Sequence, residues 1–191
     1  MTDGPFCKEE VPLQPPAKAK LFCSLIYHQS LILGEVLDHL CREWGEMEWM
    51  SARLPFSHTS YYEREMGVPL FRKYLTFEAT REQDELPELK WTAKRVERAF
   101  QESRGGRRVN IDPGLLLPDK LVLATTKPSA HRIYLCRGIY ADLTLLYHNR
   151  SYRPLPWTYP DYASEDFLGL VNILRSRYRM QRDAVQKTEL P

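Results

Sequence analysis

Several common chemistries are missing from this chain. There is no GxxxxGK[ST] to cradle a nucleotide's phosphates, and no GxGxxG follows a strand to take a dinucleotide. Neither HExxH nor GxSxG occurs, which removes the commonest zinc-protease and serine-hydrolase signatures. The four cysteines, Cys7, Cys23, Cys41 and Cys136, form no CxxC pair, so neither a zinc knuckle nor a redox dithiol is indicated. Reduced, mostly buried thiols are the expectation. No apolar run approaches the roughly 20 residues of a membrane span, and no charged-then-apolar leader opens the chain. A cytoplasmic protein with no membrane partner is expected. Charge of one sign is lacking too. Lys and Arg number 27 against 25 Asp and Glu, a formal net of +2, too balanced to pull the chain onto nucleic acid or lipid. No aromatic RNP-type motif marks an RNA-binding sheet.

What is present is an ordinary globular composition, 43% hydrophobic over 191 residues, which suits one domain. Residues 1–16 hold four prolines and no periodicity, and read as a disordered arm. A single domain is expected over 17–182, with a frayed tail over 183–191. Lys20–Tyr27 reads as a strand. Leu33, Val36, Leu37, Leu40 and Trp44 recur at helical spacing, with Gly45 as a stop. A strand over Glu46–Leu54 completes one β-α-β unit. His58–Gly67 interrupts as a loop or a short turn of helix. Leu70–Ala79 then starts a second unit, whose helix carries Pro87 in its first turn.

Arg107–His148 organises the rest as consecutive strands. Val109 and Ile111 alternate with Asn110 and Asp112, and Asp112-Pro113-Gly114 reads as a type II turn with Gly114 at positive φ. Leu121–Thr126 is a further strand closed by Lys127-Pro128. His131–Cys136 and Ile139–Tyr147 flank Arg137-Gly138, a two-residue hairpin loop. The register that follows sets Leu135 opposite Tyr140 and puts His131, Asp142 and Thr144 on one face, with Arg132 on the other. Arg150–Tyr162 reads as an aromatic, proline-rich connector, and Ser164 as the cap of a last, Arg-rich helix. The class expected is α+β: a mostly antiparallel sheet with helices packed on one side, a ferredoxin-like core extended by a hairpin and a helix.

Six segments in order, TSYYEREMG (59–67), RRVNIDPG (107–114), KLVLATTK (120–127), HRIYL (131–135), GIYADLTLLY (138–147) and WTYPDY (157–162), resemble domain-of-unknown-function family 4416, a prokaryotic family. The resemblance covers roughly residues 17–182. It implies no activity, substrate or cofactor. An acidic residue often stands in that family where Ser60 stands here.

The candidate site residues follow from chemistry alone. Asp112 suits a general base, a metal ligand or a turn cap, and Asn110 shares its strand face. Lys127, ending a strand, suits a phosphate or carboxylate contact or simple solvation. His131 and Asp142 suit an acid/base pair or a cross-strand hydrogen bond. Glu63 and Glu65 could hold a divalent cation with Asp112 if the segment is extended, and diverge if it is helical. Tyr159 and Asp161 line a pocket, or the connector's rings clamp it to the core. Two functions stay open. One is an enzyme or binding protein for an anionic or phosphorylated small molecule, with Asp112, His131 and Asp142 catalytic and Asn110, Lys127, Arg132, Glu63 and Tyr159 binding. The other is an RNA- or protein-binding module using the sheet and the Arg-rich helix. In the first, a carboxylate stays free for proton transfer or for a cation, and the residues name no particular metal or cofactor.

Overall fold

The computed structural model describes residues 14–31, 33–57, 59–103 and 105–188. Most of the expected N-terminal arm, Cys7 and the last three residues lie outside them. The elements run β1 (Ala19–His28), α1 (Leu33–Trp44), β2 (Met47–Met50), β3 (Leu54–Pro55), α2 (Glu63–Met66), β4 (Leu70–Arg81), α3 (Leu86–Ala99), β5 (Val109–Leu116), β6 (Lys120–Thr125), β7 (Arg132–Cys136), β8 (Ile139–His148), β9 (Ser151–Pro154) and α4 (Glu165–Thr188). The class is α+β, and the nine described strands form one open sheet in the order β2-β4-β1-β5-β6-β8-β7. β3 joins the β4 edge and β9 joins β8, and every pairing is antiparallel.

β1 is the centre because its two side-chain sets are both buried. Leu21, Cys23, Leu25 and Tyr27 meet Val36, Leu40 and Trp44 of α1 and Leu89, Ala93 and Val96 of α3. Phe22 points the other way and packs with Phe167, Val171 and Leu174 of α4. Side chains alternate across a strand, so α4 lies on the opposite face from α1 and α3. The expectation of helices on one side is therefore corrected. β1 is sandwiched because its apolar residues occur on both faces, each contributing about 1.5–3 kcal/mol on full burial. Ser164 caps α4, its Oγ accepting from Phe167 N at 3.3 Å. The helix continues through Thr188, past the tail boundary read from composition.

The largest departure is at Asp112-Pro113-Gly114. These residues do not turn. β5 runs straight through them, pairing Asp112 with Ser24, Pro113 with Cys23 and Gly114 with Phe22. Gly114 also faces Leu123 of β6. Its φ is not positive; a Cβ there would sit 2.6 Å from Leu123 Cδ2 and 2.7 Å from the Val122 carbonyl oxygen. Glycine is needed for close strand approach, not for a turn. The missing N–H of Pro113 is no loss, because β6 pairing begins only at Gly114.

The Arg137-Gly138 loop is as expected, both residues having positive φ, 48° and 76°. A register shift between Tyr134 and Cys136, however, sets Tyr134 opposite Tyr140 and Arg132 opposite Asp142. Arg132 and Asp142 thus share a face, against the register read from the loop. A second tight reversal at Asn149-Arg150 turns the start of the connector into β9. Among the described cysteines Cys23 is buried, Cys41 half-buried and Cys136 exposed, all free. No described helix is long and apolar enough to cross a membrane.

Candidate functional site

β5 and β6 pair only from Gly114 to Leu116 against Leu121 to Leu123. Upstream of Gly114 the strands part, and a cavity of about 270 Å³ lies where they do. The parting leaves Ile111 with a backbone N–H and C=O that β6 would otherwise satisfy. Helix α3 supplies the substitutes. Ile111 N donates to Glu97 Oε1 at 2.8 Å, and Lys90 Nζ donates to Ile111 O at 2.7 Å. Buried backbone groups are nearly always paired, so two charged side chains on the buried stripe of α3 are what allow the sheet to open.

From Lys90 a polar chain crosses the floor. Lys90 Nζ donates to Asp112 Oδ1 at 2.7 Å, and Asn110 Nδ2 donates to Asp112 Oδ2 at 2.6 Å. Arg107 Nη1 donates to Asn110 Oδ1 at 2.8 Å, while its Nε and Nη2 hold Glu65 at 2.8 and 2.7 Å. Burial alone would raise the Asp112 carboxyl, but the Lys90 ammonium and the Asn110 amide bring it below the usual carboxylate range. Burial likewise works against the Lys90 charge, and Asp112 with Glu97 holds its pKa above the ordinary lysine value. The Arg107 fork lowers Glu65.

A second buried pair stands beside this chain. Arg72 Nη1 donates to Asp161 Oδ2, with the guanidinium between the rings of Phe56 at 4.6 Å and Tyr162 at 5.0 Å. Asp161 comes from the aromatic connector. Trp157 Nε1 fixes that connector by donating to Leu143 O at 2.8 Å, and Thr158 Oγ1 does so by donating to Thr144 O at 2.6 Å. The clamp and the pocket wall are thus one structure. Burial pushes the Tyr62 and Tyr162 phenols up, so both keep their protons at neutral pH.

The rim is different in kind. Arg132 Nε donates to Asp142 Oδ2 at 2.8 Å, its Nη1 to Lys127 O at 2.9 Å and its Nη2 to the Tyr159 hydroxyl at 3.4 Å. Lys127 Nζ sits 3.8 Å over the Tyr61 ring. A hydrogen bond from Lys127, with its positive charge, lowers the Tyr61 phenol. Tyr61, Lys127, Arg132 and Tyr159 follow one another along the mouth, and both tyrosines are more than half exposed.

Of the residues singled out from sequence, Asp112, Asn110, Lys127, Arg132, Asp142, Tyr159 and Asp161 line this one cavity. His131 does not. Its ring stacks on Trp157 at 5.1 Å, and its Nε2 is 3.7 Å from Asp142 Oδ2. Glu63 does not either: residues 63–66 are helical, so Glu63 and Glu65 diverge, and only Glu65 reaches the chain on the floor. Among the described residues no group of three or more His, Cys, Asp or Glu is placed to hold a metal ion. The sequence reading missed Arg72, Lys90, Lys94 and Tyr62. A signal existed for Lys90: it falls in the stripe Leu86, Lys90, Ala93 and Glu97, where charges have no reason to stand unless they meet polar partners.

A family model described as "Domain of unknown function (DUF4416)" matches residues 17–178, most of the chain. No curated protein matches, and no solved structure does.

Proposed function

We propose that this chain, which belongs to the DUF4416 family, binds a small anionic molecule in the cavity between β5 and β6. One observation carries the reading. All six segments of the resemblance reach this cavity: Tyr61 from the first, Asp112 from the second, Lys127 from the third, Arg132 from the fourth, Asp142 from the fifth and Asp161 from the last. Many of their apolar residues, among them Val109, Ile111, Leu121, Leu123, Leu145 and Tyr162, are accounted for by the core. The polar ones are not, and they gather here. The lining holds six cationic side chains, Arg72, Lys90, Lys94, Arg107, Lys127 and Arg132, and among the described residues the carboxylates of Asp112, Asp142, Asp161, Glu65 and Glu97 pair with all of them but Lys127, an excess that favours an anion at the mouth.

Asp112, held in its ionised form, suits the acceptance of a hydrogen bond or a proton and not the donation of one. Roles for His131 and Asp142 as an acid/base pair are supported by their 3.7 Å approach, and weakened by the position of His131 behind Trp157. The RNA- or protein-binding alternative has less behind it. Helices cover both faces of the sheet, and Arg175 of α4 is engaged with the Pro118 carbonyl and the Tyr147 ring. The ferredoxin-like reading of the core is supported by the strand order β2-β4-β1-β5, in which two β-α-β units interleave.

The test is a thermal-shift series with small phosphorylated and carboxylated compounds, paired with mass spectrometry of what co-purifies. A ligand at 100 times its Kd stabilises by about 2.7 kcal/mol. The reading expects such a shift in the parent protein and a clearly smaller one in Lys127→Ala. A parent protein that no anion stabilises would reject it.

A further inference from the structure

We propose that the ligand is a guanine nucleoside 5′-monophosphate, its base turned inward to Asp112 and its phosphate outward at Lys127. This rests on the anion reading above and gives it a chemical class.

The two ends of the cavity ask for opposite things. The carboxylates that line the cavity differ in how open they are. The Asp112 side chain keeps 26% of its surface, against 12% for Asp142 and 8% for Asp161. A carboxylate has about four acceptor positions; Lys90 uses one on Oδ1 and Asn110 one on Oδ2. The remaining capacity, one position on each oxygen, suits two N–H donors side by side. A ring N–H and its neighbouring exocyclic amine, the donor edge of guanine, have that form. The walls include aromatic and apolar surface from Phe56, Tyr62, Leu123 and Tyr162, part of it covered by the Arg72 guanidinium. Such walls favour a planar ring over a sugar or an extended chain.

At the rim the demand is for negative charge. Five of the six lining cations already have a carboxylate: Arg72 with Asp161, Lys90 with Asp112, Lys94 with Glu97, Arg107 with Glu65 and Arg132 with Asp142. Among the described residues Lys127 has none. The hydroxyls of Thr59, Thr125 and Thr126 line the same region, and a lysine among hydroxyls suits a phosphate's oxygens. The volume limits the size. About 270 Å³ lies just under the roughly 300–1,000 Å³ of pockets for drug-sized ligands, enough for one ring system with its phosphate at the mouth and too little for a dinucleotide.

Isothermal titration of the full chain with GMP, AMP, guanosine, ribose 5-phosphate and inorganic phosphate tests this. GMP is expected to bind most tightly, with guanosine weaker by about tenfold or more, the scale of one charge-assisted contact. In Lys127→Ala, GMP should fall to the affinity of guanosine while guanosine itself is unchanged. Because Lys127 is exposed, the variant's thermal midpoint should match the parent's. Ribose 5-phosphate binding as tightly as GMP would overturn the nucleotide proposal and leave the anion reading standing. Equal weakening of GMP and guanosine by Lys127→Ala would overturn it too, since the lysine would not be meeting the phosphate. If none of these and no other phosphorylated or carboxylated compound binds the parent chain, both readings fall together.

Discussion

The floor and the rim of the cavity are both built of charged and aromatic side chains, yet they are held by different forces. On the floor, Arg72 with Asp161 and Lys90 with Asp112 are ion pairs with almost no contact with water on the cationic side, 6% and 4% exposed. Removing one partner there strands a charge in a dry place. On the rim, Lys127, Tyr61 and Tyr159 stand largely in solvent, and their contacts with one another are soft. The two regions therefore differ in what a substitution reports: floor substitutions disturb folding first, and rim substitutions report on binding alone.

The strongest way to break that distinction is Asp161→Ala. It leaves the Arg72 guanidinium buried without its carboxylate, and a loss of about 3–5 kcal/mol is expected, the cost of opening a buried pair. Urea denaturation would measure it, and a loss under 1 kcal/mol would mean that water reaches Arg72 after all. Next in size is Gly114→Ala, at about 1–3 kcal/mol from overpacking, because the added methyl meets the Val122 carbonyl, which is backbone and cannot swing aside. An unchanged midpoint would show that β5 and β6 separate more easily than their pairing implies.

Acid gives a smaller, graded effect. Folding depresses the pKa of Asp112 and of Glu65. Their stabilising contribution is therefore complete above the unfolded values, about 3.9 and 4.3, and is lost as pH falls through the lower folded values. Melting temperature followed from pH 6 down to pH 2.5 should drop mainly below pH 4, less steeply in Asp112→Asn than in the parent. The smallest stability effect belongs to Lys127→Ala, within about 0.5 kcal/mol, although it is expected to weaken anion binding by about tenfold or more. If this variant melted several degrees lower, the rim would be structural and the distinction would fail.

Local patterns made much of the fold legible. The helical stripe of α1 ends at Gly45, whose φ is 88°. Pro87 stands in the first turn of α3, Ser164 caps α4, and Arg137-Gly138 turns the β7–β8 hairpin. Each of these is decided within a few residues. Asp112-Pro113-Gly114 has the same local look and was misread, because a turn and a tightly packed strand can both require Gly. The choice between them came from Leu123 and Val122 of β6. The hairpin register failed similarly: the shift between Tyr134 and Cys136 moved Arg132 onto the face of Asp142, and no local residue announces such a shift. At the site, Asn110, Asp112, Lys127, Arg132, Asp142 and Tyr159 were legible as polar residues at strand ends or in the connector. Arg72, Lys90 and Lys94 were hidden inside otherwise apolar elements.

By itself, then, the amino-acid sequence determined the family, the α+β class, most element positions and the polar residues that the core does not need. These follow from periodicity, caps and turn chemistry, which act over one or two turns of chain. Only the tertiary structure decided that α4 covers the face opposite α1 and α3, that β5 and β6 part at Gly114, and that Lys90 and Glu97 satisfy the Ile111 backbone so that they can. Those outcomes depend on pairing strands far apart in the chain, and on which buried charge finds which partner. Such energies exist only between elements once they meet.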